Sequence, residues 1–223
     1  MSQDLTPLEE MGSFFDKRAG EYEAHMLQDQ YRHHYYRMIA APLPATDRPL
    51  RILDLGCGSG LELKSILAKV PRARITGIDL SRELMAILRQ NFTAYAEQIE
   101  LVHGSYLELP FPERAYDYII SSMTMHHHLR PVKQALYRRI RAALKTGGAY
   151  IEADYMVSPA EEARLLAEYR RRARELGAAP GQLHYHLDIP VSIATQKQLF
   201  HEAGFREVRI ILEQSNEAIL VCQ

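Results

Sequence analysis

Ile52-Leu-Asp-Leu-Gly-Cys-Gly-Ser-Gly60 is the stretch on which the reading of this chain turns. The run Leu50–Leu55 is short and mostly apolar, as a strand buried on both faces must be. It delivers the chain into a turn with glycine at 56, 58 and 60. Glycine is needed where the backbone takes a positive φ or lies against a ligand with no Cβ in the way. A helical pattern follows from Ser59 to Val70, and Pro71 stops it. A helix opening after such a turn offers free N–H groups and a positive dipole end, which suit a carboxylate or phosphate. Asp54, at the strand end, can accept a hydrogen bond from a cationic amino group or order the loop. A plain strand–turn–helix corner, with small residues for packing alone, is the simpler alternative.

Outward from this loop the same unit repeats. Arg74–Asp79 is a second short run, followed by a helix capped near Ser81. Ile99–His103 and Tyr116–Ser122 read as third and fourth strands. A helix opens at Pro131 and closes at Gly147-Gly148, and Ala149–Asp154 reads as a fifth strand. Short apolar runs alternating with helical patterns indicate βαβ units and a mostly parallel sheet. Ser158-Pro-Ala-Glu161 is a capping box that opens a helix to about Gly177. Residues 178–190 are irregular, and a helix over Ser192–Ala203 ends at Gly204. Glu207–Leu212 and Ala218–Cys222 flank a turn at Gln214-Ser-Asn216, so they form an antiparallel hairpin. The predicted fold is α/β: a doubly wound, seven-stranded, mostly parallel sheet with a C-terminal antiparallel hairpin. Residues 7–40, upstream of a proline-rich linker at 41–49, read as helix beginning at Pro7 and rich in tyrosine and histidine.

The chain has 223 residues, enough for one sizeable α/β domain and too few for two. Net charge is −1, from 27 basic and 28 acidic residues, so no global field draws in nucleic acid or an anionic membrane. The two cysteines, Cys57 and Cys222, give no disulfide framework. The N-terminus, MSQDLTPLEEMG, has no basic-then-apolar secretion signal, and no apolar stretch approaches membrane-spanning length. These features predict a cytoplasmic protein.

A dinucleotide-binding loop requires glycine at the sixth position counted from Gly56, and that residue is Leu61. The pattern present, G-x-G-x-G after L-D-L, resembles motif I of the class I S-adenosylmethionine-dependent methyltransferases. Residues 50–154 carry the resemblance most strongly, and the C-terminal hairpin more loosely. Leu144-Lys-Thr-Gly-Gly148 resembles the family's L-K-P-G-G turn, with Thr146 in place of proline. The resemblance implies S-adenosyl-L-methionine as cofactor, S-adenosyl-L-homocysteine as product and methyl transfer as the reaction. It places the cofactor on Asp54, Gly56, Cys57, Gly58 and Gly60, on Asp79 and Leu80, on Ser105 and Tyr106, and on Ser121 of the fourth strand. Asp79 ends the second strand, where a carboxylate can take both ribose hydroxyls; capping the next helix is its other reading. Many relatives carry aspartate where Ser105 stands. Tyr22 corresponds to a tyrosine that lies near the cofactor in related lids.

Met123-Thr-Met-His-His-His-Leu129 follows the fourth strand. In related enzymes a one- or two-histidine motif sits here, close to the transferable methyl, so His126 and His127 are the candidate catalytic residues. Consecutive side chains diverge on a strand or helix, and zinc-type spacings are absent, so no metal site is expected. His128 is expected to pack or face solvent. Arg170, Arg171, Arg172 and Arg174, with Arg138, Arg139 and Arg141, could meet RNA phosphate, but Glu161, Glu162, Glu168 and Glu175 favour a salt-bridged face on the first of these helices.

The expected organisation is one domain. It comprises a helical lid over residues 1–45, a cofactor-binding core over 50–154, a substrate-side insertion over 155–190, and a helix and hairpin over 191–223. Lid and insertion should wall a pocket for a small-molecule acceptor, with Tyr155, His184, Tyr185, His186 and Asp188 in its lining. Two other functions fit the sequence. One is a carboxy-S-adenosylmethionine or tRNA-modification type of enzyme, which needs cationic residues facing the cofactor. The other is a non-catalytic S-adenosylmethionine-binding protein, which needs no acceptor cavity.

Overall fold

Residues 9–175 and 186–223 are described by the structure, a computed structural model. Seven strands form one sheet: β1 (Arg51–Leu55), β2 (Arg74–Asp79), β3 (Ile99–His103), β4 (Tyr116–Ser122), β5 (Leu144–Tyr155), β6 (Val208–Gln214) and β7 (Glu217–Cys222). Their spatial order is β3-β2-β1-β4-β5-β7-β6. The first five are parallel, and β7 runs antiparallel between β5 and β6. The predicted seven-stranded architecture is the one observed. Strand order reverses at β1, so the loops after β1 and β4 part and leave a crevice at the strands' C-terminal ends.

Among the described residues seven α-helices complete the order: α1 (Met11–Met26), α2 (Gln30–Ile39), α3 (Leu63–Lys69), α4 (Arg82–Asn91), α5 (Arg130–Ala143), α6 (Pro159–Glu175) and α7 (Ile193–Glu202). Alternation along each strand builds two cores. Ile52, Ile120, Ile151 and Ile219 face one side, with Tyr35 and Ile39 of α2 and Leu63 and Ile66 of α3. Leu53, Ile119, Tyr150 and Leu220 face the other, with Tyr137 and Ile140 of α5 and Phe200 of α7. The hairpin turns through Ser215 and Asn216, both at positive φ (52° and 63°), the conformation that a two-residue turn between twisted strands requires.

Several boundaries differ from expectation. The continuous N-terminal helix breaks at Leu27–Asp29, because the Asp29 carboxylate accepts the Arg32 N–H at 2.8 Å and caps a new helix. The helix expected from Ser59 starts only at Leu63, since Gly60 holds φ at +80°. The turn at Leu144–Gly148 lies inside β5. Leu144 pairs with Tyr116, and the register shifts between Tyr116 and Tyr118 to absorb the extra residues. A Cβ on Gly148 would lie 2.9 Å from the Asp117 carbonyl oxygen, which explains that glycine. The expected helix start at Pro7, the helix end at Gly177, and His184 and Tyr185 lie outside the described residues.

The basic clusters are engaged locally. Arg171 pairs with Glu168 and Glu175, and Arg172 with Glu168, along one face of α6. Arg139 donates to the carbonyls of Leu107 and Leu109. Among the described residues no helix is long and apolar enough to cross a membrane.

Candidate active site

The three glycines after β1 do different work. A Cβ on Gly56 (φ +73°) would lie 2.7 Å from Thr124 Oγ1, so this glycine lets the β1 and β4 loops touch. A Cβ on Gly60 would lie 3.0 to 3.1 Å from Leu88, Leu63 and Phe92, so that position serves packing against α3 and α4. Only Gly58 (φ +48°) faces open space, with Leu84 at 3.8 Å and Tyr22 at 4.0 Å as its nearest neighbours. Its N–H donates to Asp79 Oδ2 at 2.7 Å, and Asp79 Oδ1 accepts from Ser81 N at 2.7 Å. Asp79 therefore holds the glycine loop to the end of β2. Burial raises its carboxyl above the ordinary aspartate value, and these backbone donors oppose the rise.

Above this loop lies a cavity of about 480 Å³. Gly56, Gly58, Asp79, Leu80, Ser105, Tyr106 and Tyr22 line it, as do Ser122, Met123 and Thr124 after β4. The first seven are residues expected at the cofactor, whereas Asp54, Cys57, Gly60 and Ser121, also expected there, do not line the cavity. Ser121 is a correction: its hydroxyl turns to the opposite face of β4 and bonds Tyr150 Oη at 2.6 Å in the core, while Ser122 occupies the cavity side. Cys57 is likewise turned away, its Sγ packed against Gly77 of β2. His128 corrects a second expectation, because it neither faces solvent nor merely packs. Its Nε2 lies 2.6 Å from Tyr106 Oη, which also meets Thr124 Oγ1 at 2.8 Å, and it lines the cavity.

Asp54 does not reach that cavity. It is wholly buried, and neither of its carboxylate oxygens has a hydrogen-bond partner; the same holds for Oε1 of Glu62. Burial pushes both carboxyls up; Glu62 adds to the rise at Asp54, whereas Asp54 opposes it at Glu62. Glu62 lines a narrow crevice beneath the glycine loop with Tyr22, Tyr36 and Ser122. A buried pair of acids is costly when both are ionised, so it favours a shared proton or a cation between them. Sequence reading passed over Glu62, which looks like an ordinary first-turn acid.

A second cavity, of about 500 Å³, adjoins the first and shares Phe15, Tyr22, Met123 and His127 with it. Phe14, Met26, His126, Tyr155, His186 and Asp188 complete most of its wall. Here the divergence expected of consecutive histidines fails. A short 3₁₀ turn at Met125–His127 brings the rings of His126 and His127 to 3.9 Å, and both face Asp188. Asp154, at the end of β5, accepts from the His126 backbone N–H at 2.9 Å and meets His126 Nδ1 at 2.5 Å. Burial and the neighbouring His126 lower the His127 pKa to about 4, while the surrounding histidines lower Asp188 to about 2 against the effect of its own burial. Phe14 stacks on His186 at 3.5 Å, which closes the cavity from the α1 side.

This fold, with a glycine loop, an acid after β2 and an aromatic cavity beside them, is that of a nucleotide-binding α/β protein. A family profile described as a methyltransferase domain matches residues 52–148. The demethylmenaquinone methyltransferase of Listeria monocytogenes is 26% identical over 220 residues, covering 92% of this chain and 91% of that one. The malonyl-[acyl-carrier protein] O-methyltransferase of Priestia megaterium is 26% identical over 189 residues, covering 82% and 65%. Human N-acetylserotonin methyltransferase, solved with S-adenosylmethionine, shares the fold with a TM-score of 0.67 at 21% identity, over 98% of this chain and 60% of that one. The matched domain and these likenesses support an S-adenosylmethionine-dependent methyltransferase of the class I type, with S-adenosylmethionine as its cofactor.

Proposed function

We propose that the chain transfers the methyl group to a small, partly aromatic acceptor seated in the second cavity. The observation that carries this reading is the shared wall of Phe15, Tyr22, Met123 and His127, which sets two cavities of similar size side by side. In this reading Asp79 takes the ribose hydroxyls, and Ser105 and Tyr106 border the adenine. The buried acids Asp54 and Glu62 face the cationic amino group of the methionine tail, and Gly58 leaves room for it. The bound cofactor supplies an electrophilic methyl carbon. The protein then has to hold a nucleophile in line with it, and proximity and orientation supply most of the acceleration. His126, His127 and Asp188 present electron-pair donors to that nucleophile. A relative named for demethylmenaquinone fits an acceptor of this class, whereas one named for malonyl-[acyl-carrier protein] represents the carrier-bound alternative.

The other two functions have less support. Among the described residues no lysine or arginine lines the first cavity, and Arg18 of α1, which lines the second, is paired with Glu9, so a carboxylated sulfonium has little support. A non-catalytic binding protein leaves the second cavity without a purpose. The buried free thiols of Cys57 and Cys222 accord with a cytoplasmic setting. The direct test is transfer of a labelled methyl group from S-adenosylmethionine to planar hydroxylated aromatics, a naphthoquinol and a catechol among them. Transfer to carrier-bound acyl groups or RNA alone would refute the small-molecule reading.

Two binding predictions follow from the cofactor side. Asp79→Ala should weaken S-adenosylhomocysteine binding by ~1–3 kcal/mol, the usual cost of stranding buried partners. Calorimetry on folded protein would show it, and unchanged affinity would remove Asp79 from the site. The second concerns pH. A proton held by the Asp54–Glu62 pair competes with the ligand's ammonium, and both carboxyls are raised in the free protein. Affinity should therefore be full at higher pH and fall as pH drops through the range where the pair protonates, by up to about tenfold per unit. Glu62→Gln should flatten the profile.

A further inference from the structure

Three imidazoles converge on one carboxylate oxygen in the second cavity. Asp188 Oδ1 lies 3.2 Å from His127 Nδ1, 3.5 Å from His126 Nε2 and 3.8 Å from His186 Nε2. The donor atoms of His126, His127 and Asp188 all lie within 4.8 Å of one another, a span that one ion can bridge. The side chains of His126 and His127 are almost wholly buried, and that of Asp188 is about half exposed.

The arrangement behind His126 gives the cluster direction. Asp154 holds the Nδ1 side of the ring at 2.5 Å and the backbone N–H of the same residue at 2.9 Å. A carboxylate bound to Nδ1–H fixes the tautomer and leaves Nε2 as an electron pair, as in the carboxylate–histidine pairs that stand behind metal ligands. Nε2 faces the Asp188 carboxylate at 3.5 Å, a contact that a bound cation on Nε2 makes favourable.

We propose that His126, His127, His186 and Asp188 bind a divalent transition-metal cation whose open positions face the acceptor cavity. Nitrogen-rich ligands with one carboxylate suit iron(II), cobalt(II), nickel(II) or zinc(II) and disfavour magnesium and calcium, which prefer all-oxygen shells. The cation's role rests on the reading of this cavity as the acceptor pocket, whereas its binding does not. In that role a hydroxyl oxygen of the acceptor coordinates the metal and releases its proton to solvent. The oxygen then forms a bond to the methyl carbon as the carbon–sulfur bond breaks, giving the methyl ether and S-adenosylhomocysteine.

The test uses tag-free, chelator-treated full-length protein titrated with cobalt(II), whose visible absorption reports ligand number and geometry. One equivalent should bind with intense nitrogen-ligand bands. Asp188→Asn should abolish those bands, and Asp154→Asn, which alters only the residue behind the ligand, should weaken binding by ~10–100-fold. The second variant also separates a specific site from the exposed His33 and His34, which none of these changes touches. Calorimetric titration of S-adenosylhomocysteine on the same samples reports the cofactor site independently. Absence of cobalt(II) binding, or bands that persist in Asp188→Asn, would overturn the metal proposal while leaving the methyltransferase reading intact.

Discussion

A Gly58→Asn variant should fold normally and lose S-adenosylhomocysteine affinity by at least ~100-fold, about 2.7 kcal/mol. Asparagine tolerates the left-handed backbone better than any other non-glycine residue, so the φ of +48° costs it little. Its side chain, however, enters the space between Leu84 and Tyr22 that the loop leaves open. Calorimetry measures the loss, and a thermal melt confirms the fold. The companion variant Gly56→Asn separates the two jobs of the loop. Its Cβ would meet Thr124 Oγ1 at 2.7 Å, so that variant should lose stability together with binding. Normal binding by folded Gly58→Asn would mean that the loop is a packing corner and that the cofactor lies elsewhere.

Phe200→Ala should lower stability by ~3–5 kcal/mol, the range for truncating a fully buried phenylalanine. At this chain length that corresponds to a melting-temperature drop of roughly 6–20 °C. Phe200 is fully buried, with ring centres of Tyr137, Tyr150 and Phe205 at 4.8, 5.8 and 5.9 Å. Those tyrosines also carry a buried polar network. Tyr137 and Tyr150 both donate to Glu152 Oε2, at 2.7 and 2.8 Å, and Gln196 ties Tyr137 to Lys133. Burial pushes the Glu152 pKa up to about 7, which makes its two tyrosine donors costly to misplace. A cavity at Phe200 loosens rings whose hydroxyls must stay in register, so this variant should sit at the upper end of the range. Chemical denaturation showing a loss under 1 kcal/mol would mean that this core closes over the gap.

The glycine loop and the acid after β2 were legible because their demands are local. Gly58 needs a positive φ, and Asp79 needs only to end a strand beside that loop. The sheet was legible for a similar reason, since each short apolar run declares its own burial. Ser121 was misassigned because strand parity decides which of two adjacent serines faces the cavity, and a one-residue difference reverses it. Glu62 and Asp154 were not legible as site residues. Each looks ordinary in its segment and gains meaning from partners brought in by packing: Asp54 for one, His126 for the other. The histidine cluster depends on a contact between residues about 60 positions apart, which no local spacing encodes. His126 and His127 converge because a 3₁₀ turn, not a strand or an α-helix, carries them.

The break at Leu27–Asp29 divides the N-terminal segment into two parts with unequal attachment. Helix α2 buries Tyr35, Tyr36 and Ile39, and Arg32 is paired with Glu217 of β7. Helix α1 buries only Gly12, Ala19 and Met26, yet it supplies Phe15 and Tyr22 to both cavities. Its outer face is tied to the start of α4, where Asp16 accepts from Ser81 Oγ at 2.6 Å and from Glu83 N at 3.2 Å. One helix therefore borders both chambers while being anchored beside Asp79, so a displacement of α1 would be felt at the nucleotide loop and at the neighbouring chamber together.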